Sequence, residues 1–307
     1  MEGLQEIGVV ARHEAGRTFR SARVIVLLAL YVMFSALILL VIGSISQAIG
    51  EQLKTSLEGA DPQKAAEAAN QLRTGFLSWF LDSDSAVLDA LQQVPLVVII
   101  VFKATLFWLP PYVVLMAFDT ISGEVGPRSI RFLTVRARRS SILLGKFLGH
   151  ALVLAALVFV VDVAIFVYAK VTHPDFGWGL MLVTLLKFWL ASVVYALAYL
   201  ALSVLCSALF RQWALSLIVN FISLFVLWLV NFIAGFGTHR ELLPNGLPGP
   251  EQITSWVAYL RYFTPSYYAT GLLNPAIQTF ALSGAAYAGF TLLFAGAAYG
   301  ILRARDL

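Results

Sequence analysis

Charge is scarce in this chain and cysteine almost absent. Only 12% of its 307 residues are charged, and the single cysteine, Cys206, lies inside an apolar run. One cysteine excludes a disulfide within the chain and any cysteine-based metal cluster. The four histidines (His13, His150, His173 and His239) are scattered without ligand-like spacing, and the four methionines do not cluster. No metal site is legible, and a dedicated copper path is not expected. Catalytic motifs are missing as well. There is no G-x-x-x-x-G-K-[ST] phosphate loop, because "LLGKF" at 143–147 lacks the upstream glycine and the hydroxyl that would hold Mg²⁺. "TISGE" is one glycine short of a nucleophile elbow. The chain alone is therefore expected neither to bind nor to hydrolyse ATP, and not to be an enzyme.

What remains is mostly apolar. The composition is 60% hydrophobic and the mean hydropathy is +0.83, outside the range of soluble domains and inside that of polytopic membrane proteins. A helix needs roughly 20 apolar residues to cross a hydrocarbon core of about 30 Å. Six runs meet that length, near 23–43, 95–118, 142–169, 183–209, 213–236 and 281–302. The first is too long, and too poor in a small-residue cleavage site, to be a removed signal peptide. The expectation is an all-α polytopic membrane protein forming a single transmembrane domain over 1–307, with an even span count that puts both termini on one side.

The net charge of +4 raises the question of nucleic acid, but the basic residues lie at the ends of apolar runs, where membrane topology explains them. No nucleic-acid partner is expected. Arg12, Arg17, Arg20 and Arg23 precede the first span, Arg128, Arg131, Arg136, Arg138 and Arg139 lie between the second and third, Arg211 marks the turn between the fourth and fifth, and Arg303 and Arg305 end the chain. Residues 43–93 carry seven acids against Lys54, Lys64 and Arg73. The positive-inside bias then makes both termini cytoplasmic.

Within residues 1–22, Leu4, Ile7, Ala11, Ala15 and Phe19 share one helical face opposite Gln5, Glu6, Arg12, His13, Arg17 and Arg20, which reads as an interfacial amphipathic helix; Val9 and Glu14 break the pattern. The outer loop at 43–93 reads as two short helices, with Asp61-Pro62 and Asp84 as starts and Trp79 and Phe80 at the interface. Residues 237–280 are rich in Gly and Pro and then aromatic, which suits a re-entrant or interfacial helix pair ending at Pro265. Pro110-Pro111 removes two backbone donors from the second span and predicts a kink there.

Lys103, Asp162 and Lys187 are charged residues toward the outer ends of the second, third and fourth spans. Each lies within roughly 10 Å of the outer surface at 1.5 Å per residue. A charge there costs at least a few kcal/mol unless paired or wetted. The set is read either as a polar patch lining a substrate route or as an interhelical ion pair with snorkelling lysines. Asn220 and Asn231 in the fifth span are likewise either route-lining or interhelical hydrogen-bonding residues.

The charge that the spans avoid is concentrated in "FDTISGEVGPRSIRFLTVRARRSSILLGKFLG", residues 118–149, which holds five arginines and two acids before Lys146. Glu124, Gly126, Ser129, the pair Phe132 and Leu133, Arg139 and the Gly145-Lys146 that opens the next span together resemble the cytoplasmic loop between the second and third spans of ABC-2 type ABC-transporter permeases. Gly126-Pro127-Arg128-Ser129 stands where that family has Gly-Thr, and Arg136-Ala137 where it has a proline before the arginine. The amphipathic N-terminal helix, six spans, cytoplasmic ends and outer segment before the last span extend the similarity over the whole chain.

The resemblance implies that residues 119–141 form a coupling helix docking into a cleft of a separate ABC ATPase subunit, with Glu124, Gly126, Arg128, Ser129, Arg131, Phe132 and Arg139 as coupling residues. It also implies two ATPase copies that bind the ATP and Mg, a second permease copy forming a homodimer, and a multi-pass location in a bacterial inner membrane. Spans 2 and 5 would line the route, which implicates Phe102, Phe107, Asn220 and Asn231. The arginines also suit the anionic inner-leaflet lipid. The rival reading is a non-transporting membrane subunit that passes ATPase motion to an extracytoplasmic partner through residues 43–93. Nothing in the sequence selects a substrate.

Overall fold

The computed structural model describes residues 2–56, 91, 93–126, 137–239, 251–274 and 276–305. The expected helices of the outer loop, with Asp61, Pro62, Trp79, Phe80 and Asp84, lie outside these residues. So do Arg128, Ser129, Arg131 and Phe132 of the coupling motif.

Helix α1 (Glu2–Phe19) is followed by α2 (Ala22–Ser56), α3 (Leu96–Ala117), the single turn α4 (Ser122–Val125), α5 (Arg139–Thr172), α6 (Trp178–Leu209), α7 (Trp213–Gly235) and α8 (Ile277–Ala304). Six of these, α2, α3, α5, α6, α7 and α8, are long and apolar enough to cross a membrane, and the chain is an all-α polytopic membrane protein. Local chemistry sets the boundaries. Pro95, in extended conformation, stands just before α3, where its missing N–H is no loss, and Gly177 stands before α6. The helix runs unbroken through Pro110 and Pro111.

The helices divide into an inner and an outer set. In the most apolar windows of α3 and α6, 67% of residues are buried, against 11% in α7 and 17% in α8. Small residues explain the centre. Ala191, Ser192, Ala196, Ala198, Ala201 and Ser203 are all buried and keep α6 thin, so its neighbours approach closely. Aromatic side chains then fill the half of the bundle away from residues 118–126, with the Phe102 and Phe188 rings 4.3 Å apart and Phe166 edge-on to Phe188.

One end of the bundle gathers α1, residues 118–126, the start of α5 and the ends of α6 and α8. The Arg139 guanidinium donates to the carbonyls of Leu302 (3.1 Å), Arg303 (2.8 Å) and Arg305 (3.0 Å), and Arg305 donates to the Leu209 carbonyl. Both ends of the described chain therefore lie at the same end of the bundle, as an even number of spans requires.

At the opposite end, a two-residue pairing of β1 (Thr238–His239) with β2 (Gln252–Ile253) precedes two 3₁₀ segments, Trp256–Phe263 and Pro265–Leu273. This departs from the expected helix pair ending at Pro265. Proline opens the second segment instead, at a position whose N–H would have had no partner. Three side chains hold that segment down. Tyr287 donates to the Pro265 carbonyl (2.6 Å), the Tyr199 hydroxyl is 3.1 Å from that of Ser266, and Lys187 donates to the Leu273 carbonyl (2.8 Å).

Candidate functional site

The region expected to couple the chain to a partner is built around one buried lysine. Gly145 and Gly149, a helical turn apart on α5, face α1. A Cβ on Gly145 would lie 2.6 Å from the Val10 Cβ, and one on Gly149 would lie 2.8 Å from the Glu14 Cβ and 2.9 Å from the Ala11 carbonyl. Only glycine lets the two backbones approach this closely, the small-xxx-small logic of helix pairs in membranes. The buried residues of α1 are therefore Ala11, Glu14 and Thr18, while Leu4 and Phe19 of the expected apolar face remain exposed. Glu14, the residue that broke the amphipathic pattern, is the one the packing uses.

Between the two glycines, Lys146 projects into this crossing with its side chain 2% exposed. Its ammonium donates to Glu124 Oε1 at 2.6 Å and to Glu14 Oε2 at 3.2 Å. An ammonium taken out of water costs several kcal/mol unless it is paired and hydrogen-bonded, and two carboxylates supply that here. Arg17 closes the cluster, donating to Glu14 Oε1 at 2.6 Å with Glu124 Oε1 at 3.6 Å. His150, one turn along α5, has Nε2 at 3.9 Å from Glu14 Oε1 and Nδ1 at 3.0 Å from the Lys146 carbonyl. Burial pushes the Glu14 carboxyl up, but Lys146, His150 and Arg17 outweigh it and hold it below the usual carboxylate range.

Glu124 belongs to α4, the turn with which the loop begins, and that turn is bolted to two further spans. The Ser207 hydroxyl of α6 accepts from the N–H groups of Ile121 (2.9 Å) and Ser122 (3.0 Å), satisfying donors that a one-turn helix leaves open. Ser216, at the start of α7, donates to the Phe118 carbonyl at 2.6 Å. At Gly126 a Cβ would come within 3.0 Å of the Arg211 carbonyl in the α6–α7 turn. Arg23 of α2 pairs with Asp119 at 2.9 Å and lies over the Phe118 ring. Five helices thus contact the start of the loop, so a force on it reaches α1, α2, α5, α6 and α7 together.

The expected site residues divide. Glu124 and Gly126 are at this junction. Arg139 is beside it, engaged with the carbonyls at the end of α8. Phe102 is buried against Phe188, whereas Phe107 is exposed. Asn220 is buried and donates to the Ser216 carbonyl of its own helix at 2.9 Å, and Asn231 accepts from Thr264 at 3.2 Å, tying α7 to the outer segment. Asp162 is buried and its Oδ2 has no hydrogen-bond partner, while Lys187 donates to the Leu273 carbonyl. Lys103 is half-buried on α3. Sequence reasoning missed the Glu14–Lys146 pair. Its signals were the "GKFLG" spacing and a lone acid on an apolar face.

Among known proteins, a family model described as ABC-2 family transporter protein matches residues 9–302, nearly the whole chain and including every element of the junction. No curated protein matches it. Six spans, an N-terminal helix docked on the third of them and a match that runs from α1 to α8 agree: the chain belongs to the ABC-2 family of transporter proteins.

Proposed function

We propose that the chain is the permease subunit of an exporter, driven by separate ABC ATPase subunits that dock on residues 119–141, and that it works as a homodimer with two ATPase copies. The supporting observation is the bond of Lys146 to both Glu124 and Glu14. It makes the start of the loop, the N-terminal helix and the third span one mechanical unit. ATPase closure pushes the loop; the unit carries that displacement into the spans, which rock between two packed arrangements. ATP and Mg are held by the ATPase, and this chain's residues supply docking and transmission.

In this reading Glu124 positions the loop through Lys146 and does not itself enter the ATPase cleft, which is left to Arg128, Ser129, Arg131 and Phe132. The second copy packs on α7, where Phe221, Phe225, Trp228, Phe232 and Phe236 form an exposed stripe on one face. The excess of arginine on the loop side supports cytoplasmic termini in a bacterial inner membrane.

The test is to purify the full chain from its source membrane and expose it, together with any ABC ATPase that co-purifies, to a photoreactive ATP analogue. The ATPase is expected to remain bound and to take all of the label. Specific labelling of this chain, or an ATPase that never associates, overturns the proposal.

A further inference from the structure

Two cavities lie in register along the seam between α2 and α3, and they have opposite chemistry. The one at the loop end has a volume of about 420 Å³ and is lined by Arg17, Ser21 and Arg23 on one side and by Asp119, Glu124 and His150 on the other. The next one inward has a volume of about 160 Å³ and is walled by Leu27, Leu30, Phe34, Trp108 and Tyr112, with almost no polar surface. On α2 the polar cavity uses residues up to Val24 and the apolar one begins at Leu27. On α3 the polar cavity begins at Met116 and the apolar one ends at Leu115. Placed end to end on the same two helices, they line an amphiphilic groove with one polar and one apolar stretch.

Its length matches one lipid leaflet. From Arg23 to Phe34, eleven residues at 1.5 Å each, the groove runs roughly 16 Å, about half of the 30 Å hydrocarbon core. Its apolar end opens sideways, since Leu30, Met33 and Trp108 on its rim are exposed on the outside of the bundle. A molecule enters it from the bilayer and not from the protein interior.

The charge at the polar end selects the headgroup. The side chains of Arg17 and Arg23 are 53% and 43% exposed, and each guanidinium has five N–H donors, more than its carboxylate partners occupy. Those spare donors match a phosphate. Asp119, 32% exposed, keeps acceptor capacity beside them for an ammonium. A free phosphate or a purely anionic headgroup would answer the arginines and meet Asp119 and Glu124 as like charges. A headgroup bearing both phosphate and primary ammonium answers both.

We propose that this groove holds one glycerophospholipid of the phosphatidylethanolamine type from the leaflet on the loop side, its headgroup between Arg17, Arg23 and Asp119 and one acyl chain between Leu30, Phe34 and Trp108. The headgroup touches α1, α2 and the start of the loop, so the lipid cements the joint between the N-terminal helix and the first span. The site stands on cavity shape and charge and does not depend on the ATPase reading.

The experiment is native mass spectrometry of the full chain in detergent, titrated separately with phosphatidylethanolamine, phosphatidylglycerol and inorganic phosphate. One phosphatidylethanolamine per chain is expected to bind about tenfold tighter than phosphatidylglycerol, with phosphate failing to displace it. Arg23→Gln, which empties the polar end, and Leu30→Trp, which fills the apolar end from a half-exposed position, are each expected to weaken it about tenfold. If Arg23→Gln fails to fold, Leu30→Trp decides alone. Equal binding by wild type and Leu30→Trp overturns the site. Equal affinity for phosphatidylglycerol overturns the zwitterionic headgroup, and displacement by phosphate reduces the site to an anion pocket without a lipid.

Discussion

Replacing Lys146 by methionine keeps most of the side-chain volume and removes one charge, so it isolates what the ammonium contributes. Two carboxylates lie within 3.2 Å of it, with side-chain exposures of 4% for Glu14 and 15% for Glu124. Without the ammonium, Glu14 keeps Arg17 and His150 while Glu124 loses its 2.6 Å bond, with Arg17, half in water, 3.6 Å away. Leaving one partner of a buried pair uncompensated costs about 3–5 kcal/mol. At about 2 °C per kcal/mol for a chain of this size, Lys146→Met is expected to lower the melting temperature by about 6–10 °C. Glu14→Gln is milder, about 1–2 kcal/mol, because Lys146 keeps Glu124 and the amide oxygen still accepts a hydrogen bond. The double change Glu14→Leu with Lys146→Met removes both charges together and recovers a large part of the loss. Thermal unfolding followed by intrinsic fluorescence in lipid nanodiscs reads all three. A loss below about 1 kcal/mol for Lys146→Met, or strictly additive losses in the double variant, would refute the buried-lysine account.

Gly145→Leu forces a side chain where Val10 already lies and is expected to detach α1, costing about 1–3 kcal/mol and exposing residues 2–19 to protease; an α1 that stays protected refutes the close crossing. The lowered Glu14 pKa adds stability that is fully present above the ordinary carboxylate value of about 4.5 and is lost as pH falls through the depressed folded value. Acid titration should therefore show a drop below about pH 4.5 that Glu14→Gln reduces, and an identical acid profile in that variant contradicts the assignment. Asp162→Asn is expected to leave the melting temperature unchanged or raise it, because the buried Oδ2 has no hydrogen-bond partner to lose. A fall of several degrees would show that a pairing charge sustains Asp162 after all.

Much of the fold was legible because its signal is one-dimensional. A run of some twenty apolar residues has few alternatives, and the six expected spans match helices that begin and end within about five residues of them, apart from α2, which continues to Ser56. The loop was legible because its charge contrasts with everything around it. The partner of Glu124 was not, because Lys146 reads as an ordinary lysine at a span end until the Gly145–Gly149 crossing brings α1 over it. Pairing across 132 residues leaves no periodic trace, and Glu14 registered only as a break in a pattern. Ser207 and Ser216 were invisible for a similar reason: a serine in an apolar helix has no signature that separates a cap on another segment's N–H groups from a bond to its own backbone. Counting along the spans gives a depth but not an azimuth, and Lys187 turns to the Leu273 carbonyl and not to Asp162.

The measurement that bears most directly on the central claim is the ATPase rate of the complex in nanodiscs with Glu124→Gln. This variant leaves Lys146 paired with Glu14, so the fold and the docking of α1 persist while the bond that ties the start of the loop to α1 and α5 is weakened. In Glu124→Gln the ATPase is predicted still to co-purify and its basal hydrolysis to continue, while the coupling of hydrolysis to the membrane subunit falls by about 10- to 150-fold, for a charged hydrogen bond worth about 1.5–3 kcal/mol. Wild-type dependence in Glu124→Gln, with α1 docked and the ATPase bound, would contradict the claim that Lys146 and Glu124 transmit motion from the loop to the spans.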